Sequence, residues 1–122
     1  MTTPLKIDSR TEAGDAAVLR LAGEVDVANV AQVREAALKL LAAGVKQLVV
    51  DLSATEYLDS SGLGILVGLL KRLKEIGGDM AIAGPQPRVK RLFEITGLSR
   101  VFALHNDVAA ALLALRREHS PE

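Results

Sequence analysis

Apolar and polar residues alternate from Leu5 to Ser9 and again from Ala17 to Leu21, either side of the turn-prone Glu12-Ala13-Gly14-Asp15. Period-two alternation around such a loop predicts a β-hairpin, and Gly23 is expected to break its second strand. From about Asn29 the period changes. Val30, Val33, Ala37, Leu40 and Leu41 recur at three- and four-residue steps until Gly44, which predicts an amphipathic helix with a glycine stop. Gln47-Leu48-Val49-Val50-Asp51-Leu52 is dense in aliphatic and β-branched residues. Such a run suits a strand covered on both faces, so it is expected at the centre of the sheet.

After the turn-prone Ser53-Ala54-Thr55, the segment Asp59-Ser60-Ser61 stands where a helix should start. Leu63, Leu66, Leu70 and Leu73 follow at helical spacing until Gly77-Gly78. Met80-Ala81-Ile82-Ala83 reads as a short strand ended by Gly84-Pro85, and Pro87 to Thr96 as a third helix with Pro at its first position and Gly97 as its stop. Val101 to Leu104 is a brief apolar strand. Asp107 to Arg117 is an alanine- and leucine-rich helix, followed by the polar tail His119-Ser120-Pro121-Glu122. The order is β-β-α-β-α-β-α-β-α. Strands separated by crossover helices must be mainly parallel, so the fold class is α/β, a mixed, mostly parallel sheet of about five strands with about four helices. With no repeat, low-complexity tract or linker, a single domain spanning 1–122 is expected, its core running from about residue 5 to about 117.

Composition narrows the function. Lys plus Arg number 15, as do Asp plus Glu, so there is no long-range positive field to gather nucleic acid or an anionic membrane. Aromatics are 2% of the chain, Tyr57, Phe93 and Phe102, too few for a base-stacking platform. The absence of Cys removes disulfides, thiolate nucleophiles and Cys-ligated metals. His105 and His119 are the two histidines, which leaves no multi-histidine metal site. The polar stretch from Met1 to Ser9 lacks the apolar core of a secretory signal, and a cytoplasmic protein is expected. The run from Gly62 to Leu70 is about half the length that spans a bilayer, so no membrane insertion is expected either.

Residues 59 to 68, Asp-Ser-Ser-Gly-Leu-Gly-Ile-Leu-Val-Gly, join a hydroxyl- and glycine-rich turn directly to an apolar helix. A dinucleotide fingerprint would need two residues between its second and third glycines, and Gly64 and Gly68 leave three. No Gly-Lys-Ser/Thr triplet exists for a phosphate-cradling loop. A nucleophile elbow needs Gly two residues before its serine, where Ser60 has Leu58 and Ser61 has Asp59. Enzymatic chemistry, metals and cofactors are therefore not expected. Two readings remain for the turn itself. Asp59 or Ser60 caps the helix by accepting backbone N–H bonds, worth about 1 kcal/mol, or a serine here carries a regulatory phosphate. Phosphorylation would add about −1.5 to −2 charges where the helix dipole and free N–H groups favour an anion. The fold should tolerate that, and a partner pressed against the turn would not. Further along the helix, Ile65 and Leu69 are apolar, four apart and off the main core face, which suits either a partner interface or packing on the protein's own sheet. Arg88, Lys90 and Arg91 read as a solvated helix face.

The string Tyr57-Leu58-Asp59-Ser60-Ser61-Gly62-Leu63-Gly64 closely resembles the signature of the STAS domain, in particular the bacterial anti-sigma factor antagonists. Gly23-Glu24-Val25-Asp26, Val49-Val50-Asp51-Leu52 and Val89-Lys90-Arg91-Leu92-Phe93-Glu94-Ile95-Thr96-Gly97-Leu98 match in the same register, so the resemblance covers about Leu5 to Leu115. It implies a non-enzymatic binding protein in a partner-switching circuit. The unphosphorylated antagonist binds an anti-sigma factor that is also a serine kinase of the GHKL type, which frees the sigma factor. Phosphorylation of the antagonist releases it, and a PP2C-type phosphatase resets it. By resemblance the phosphoacceptor is Ser60, with Ser61 its rival. The partner surface would include Asp26, Asp59, Ser61, Gly62 and Leu63, and Asp26 is equally well read as a turn residue before a helix. Two other functions compete. One is a STAS scaffold subunit of a lipid-transport or stressosome-type assembly, against which stand the retained serine and a chain ending soon after its last helix. The other is a nucleotide-binding protein, which the missing phosphate loop disfavours.

Overall fold

The computed structural model describes residues 3–118; the polar tail and His119 lie outside them. Strands β1 (Lys6–Thr11) and β2 (Ala16–Val25) form the antiparallel hairpin, followed by α1 (Val30–Ala42), β3 (Gln47–Asp51), β4 (Thr55–Leu58), α2 (Ser60–Glu75), β5 (Asp79–Ala83), α3 (Pro87–Ile95), a 3-10 turn (Leu98–Arg100), β6 (Ala103–His105) and α4 (Val108–Glu118). The sheet runs β1-β2-β3-β5-β6, with β4 paired to β2 off this path. Every pairing except β1–β2 is parallel, as crossover helices require. β3 is the central strand, between β2 and β5, and Leu48, Val49 and Val50 are fully buried.

The two faces of the sheet hold separate cores. Alternate residues Ala17, Leu19, Leu21, Leu48, Val50 and Ile82 meet α1, α2 and α3 on one face, where Phe93 and Phe102 stack edge to face at 5.6 Å. Residues of opposite parity, Val18, Val49, Ala81 and Ala83, pack against Ala111, Leu112 and Leu115 of α4. Burial of each such Leu contributes about 1.5–3 kcal/mol relative to exposure, so the larger face dominates stability.

The sheet has six strands among the described residues, against about five expected, because Thr55–Leu58, left unassigned after the turn-prone Thr55, pairs with β2. One expectation from the sequence is corrected. Gly23 does not end β2. It sits inside the strand at φ +100°, at a register shift between Gly23 and Glu24, so the chain bulges and continues to Val25. Two smaller shifts occur at β6, which begins at Ala103 rather than Val101, and at α4, where Asp107 precedes the helix and accepts from the Ala110 N–H at 2.8 Å.

Candidate functional site

β2 is long enough to serve two partners in succession. Its first half pairs with β3, from Ala16 opposite Gln47 to Arg20 opposite Asp51, and its last residues pair with β4. The bulge at Gly23 makes this change of partner possible. Only glycine fits there, since its φ is positive and a Cβ would lie 2.4 Å from the Pro4 carbonyl oxygen. The buried Thr55 hydroxyl donates to the Leu21 carbonyl at 2.5 Å and fixes the start of β4. Four residues later the Asp59 N–H donates to the Val25 carbonyl at 3.2 Å, so the first turn of α2 starts against the end of β2.

Asp59 is the N-cap of α2 with extended backbone. One carboxylate oxygen accepts from the Gly62 N–H at 3.0 Å and from the Ser61 hydroxyl; the other accepts from the Val27 N–H at 3.1 Å. A single side chain thus caps the helix and ties the β2–α1 loop to it. The Ser61 hydroxyl is the main reason its carboxyl sits below the usual carboxylate value of 3.8; partial desolvation opposes this, and the Gly62 and Val27 amides reinforce it. The loop is rigid on its own account. Asp26 accepts from the Ala28 N–H, its own N–H donates to the Asn29 side chain, and that side chain donates to the Glu24 carbonyl. Gly62 lets the helix approach the strands beneath: a Cβ there would lie 2.4 Å from Leu58 Cδ1 and 3.2 Å from Val25 Cγ1.

The two serines are placed differently. Ser61 is half-buried with its hydroxyl committed to Asp59. Ser60, the first residue of α2, is exposed, and its hydroxyl has no hydrogen-bond partner among the described residues. Two large side chains are exposed on the neighbouring segments, Val27 at 77%, whose N–H the Asp59 carboxylate holds, and Tyr57 at 46%, three residues before Ser60. Val27 drew no notice in the sequence, and Tyr57 only as one of the aromatics and the first residue of the family-like string. The only available signal was the break in alternation at the end of β4, where Tyr57 follows the exposed Glu56.

A family model described as the STAS domain matches residues 7–111. The chain belongs to the STAS domain family. An "anti-sigma-B factor antagonist" of Staphylococcus aureus is 39% identical over 80 residues, 66% of this chain and 74% of that protein. The crystal structure of an anti-sigma factor antagonist from Mycobacterium paratuberculosis superposes with a TM-score of 0.84 at 28% identity, covering 95% of this chain and 99% of that one. At 22% identity the Bacillus cell fate determinant SpoIIAA, solved in its phosphorylated form, shares the fold, with a TM-score of 0.73 over 91% of this chain and all of that one (100%).

In this STAS chain the remaining candidate residues separate by burial. Asp26, Asp59, Ser60 and Ser61 gather at one end of the sheet with Val27 and Tyr57. Leu63 and Leu69, at 7% and 3% exposure, belong to the main core, and Gly62 is buried too. The expectation that Leu69 points outward with Ile65 is therefore corrected: α1 packs on that side of α2 and covers Leu69, leaving Ile65 half-buried. Arg88, Lys90 and Arg91 are exposed on α3, as a solvated face requires. Among the described residues no helix is long and apolar enough to cross a membrane, and no His/Asp/Glu cluster has metal-binding geometry.

Proposed function

We propose that this chain acts as an anti-sigma factor antagonist whose partner binding is switched off by phosphorylation of Ser60. The observation that carries this reading is the contrast between the serines: a free, exposed hydroxyl at the first position of α2, beside a second hydroxyl held by the cap. A kinase needs a nucleophilic hydroxyl it can reach, and Ser60 offers one without breaking any bond of the fold. Val27 and Tyr57 give a partner apolar surface next to that hydroxyl, and Asp26 and Asp59 fix the backbone that presents it.

A phosphate on Ser60 would place about −1.5 to −2 charges beside the Asp59 carboxylate, which already occupies the helix N-terminus. No hydrogen bond of the fold is broken, since the Ser60 hydroxyl is exposed and unpaired among the described residues. A partner covering Val27 and Tyr57 would have to desolvate a phosphate next to a carboxylate, and that cost falls on binding alone. By family resemblance the partner is an anti-sigma factor with GHKL-type serine kinase activity, a PP2C-type phosphatase reverses the modification, and the circuit works in the cytoplasm without direct contact between this protein and nucleic acid. A pull-down with wild type, Ser60→Ala and Ser60→Asp as baits tests this. Retention of a GHKL-type kinase by the first two and its loss with the third is the expected result. Retention of one multi-protein complex by all three would make Ser60 an ordinary helix residue and the chain a scaffold subunit.

A further inference from the structure

The path of the main sheet ends at β1 and at β6. β6 is three residues long, whereas β1 has six, five of them exposed. A long, exposed edge strand is a template for another chain unless its side chains prevent the pairing. In the β1–β2 ladder the Glu12 N–H donates to the Ala16 carbonyl at 2.8 Å, and the register sets Lys6, Asp8 and Arg10 opposite Ala22, Arg20 and Val18. The bonds of an antiparallel ladder alternate. The even-numbered residues therefore bond to β2, and Ile7, Ser9 and Thr11 turn their N–H and C=O groups out to the edge, which no strand covers among the described residues.

Val18 belongs to the core under α4, so Lys6, Asp8, Arg10 and Glu12 lie along that face of the sheet. α4 packs on β3, β5 and β6, and the three β1 side chains of the stripe are exposed. Its charges alternate, positive at Lys6 and Arg10 and negative at Asp8 and Glu12, so it is its own complement when reversed. A second copy added antiparallel about a two-fold axis at Ser9 brings each Asp8 opposite the other copy's Arg10, and each Lys6 opposite the other copy's Glu12. These are the non-hydrogen-bonded positions, where side chains come closest. The same axis aligns the outward backbone groups: Ser9 exchanges bonds with Ser9, and Ile7 with Thr11. Neighbouring registers fail. An axis at Asp8 sets Asp8 on Asp8 and Lys6 on Arg10, and one at Arg10 sets Arg10 on Arg10 and Asp8 on Glu12, like charges in each case. Axes at Ile7 or Thr11 keep a single kind of charge pairing and run off an end of the strand.

We propose that two copies of this chain associate through β1, antiparallel about Ser9, so that one sheet runs through the pair. This is strand addition with a second copy as the added strand, in a two-fold, self-complementary contact. Arg10 meets Glu12 of its own strand through Nε at 3.5 Å, which leaves both terminal nitrogens for the Asp8 of the other copy. On the opposite face a hollow of about 350 Å³ is lined by Ser9 and by Gln32, Ala36 and Leu40 of α1, so α1 leaves room beside the strand. Neither Ser60 nor Val27 belongs to this edge. Pairing and the Ser60 switch are therefore separate properties, and the pair presents the Ser60 surface twice.

Sedimentation equilibrium at rising concentration tests this with the full chain, with Asp8→Arg, with Arg10→Asp and with an equimolar mixture of the two variants. Wild type is expected to pass from monomer to dimer. Either variant alone sets like charges at both central pairs and is expected to stay monomeric. In the mixture every pair regains opposite charges, since the two arginines of one variant face the two aspartates of the other, and a one-to-one dimer is expected. That rescue also shows both variants to be folded. A wild type that stays monomeric up to its solubility limit overturns the pairing. Variants that dimerise as well as wild type overturn β1 as the contact, and a mixture that stays monomeric while wild type dimerises overturns the register.

Discussion

Two helices of this protein start with an aspartate, and only one of the two starts has the makings of a switch. At α4, Asp107 accepts one bond from the Ala110 N–H of its own first turn, and Val108, Ala109 and Ala110 follow without a hydroxyl. At α2, Asp59 accepts three bonds, one from a different loop, and the next residue is a serine with an uncommitted hydroxyl beside exposed Val27 and Tyr57. Capping is common to both and explains stability. What distinguishes α2 is the second segment its cap recruits and the exposed, unpaired hydroxyl left at the surface.

The largest effect should separate the two starts completely. Ser60→Asp is expected to weaken anti-sigma factor binding about a hundredfold, about 2.7 kcal/mol, while Ala109→Asp, the same charge at the first turn of α4, leaves affinity unchanged; calorimetric titration reads both. Next is Gly62→Ala. Its Cβ must displace Leu58, so a loss of about 1–3 kcal/mol is expected in urea denaturation, whereas Gly64→Ala, with open space above it, should stabilise slightly. Removing the caps sharpens the contrast further. Asp107→Ala should cost about 1 kcal/mol and Asp59→Ala nearer 2 kcal/mol, and only the latter should increase hydrogen exchange at Val27 and weaken partner binding.

The smallest effect is a pH signature. Asp59's carboxyl is held below its usual value in the folded protein, so its contribution is fully present above the unfolded value near 3.8 and is lost as pH falls through the lower folded one. Ser61→Ala removes the largest cause of that shift. NMR titration of the Asp59 carboxyl should show its midpoint move upward in the variant, and the acid loss of stability, starting at the same pH, should be smaller and complete at higher pH. An unmoved midpoint would break the link between the cap and the second serine.

Dense local signals were legible in the sequence and sparse ones were not. The run Leu48-Val49-Val50 announces a doubly covered strand, and the leucine spacing from Leu63 to Leu73 announces α2, because many side chains repeat the same message. β4 has four residues, two of them exposed, and is held by pairing to a distant strand; nothing local distinguishes it from a turn. Gly23 was legible as a special backbone position but not as a bulge, since a glycine inside a strand and one ending it look alike until the partner strand is known. The roles of Asp59 and Ser60 could be placed at a helix start from sequence. Which serine is free could not, because that depends on a hydroxyl hydrogen bond two residues long. Leu69 and Ile65 carry the same spacing, and only the position of α1 decides that one is buried.

The central claim is that a phosphate on Ser60 alone ends partner binding without unfolding the protein. The most direct measurement is titration of the anti-sigma factor with unmodified protein and with protein phosphorylated by that factor, the modified residue mapped by mass spectrometry and the fold checked by amide NMR. Phosphate is expected on Ser60, with an affinity at least about a hundredfold lower and amide shifts confined to residues near 55–65 and the loop at Val27. Phosphate on Ser61, an unchanged affinity, or shifts spread through the sheet would contradict it.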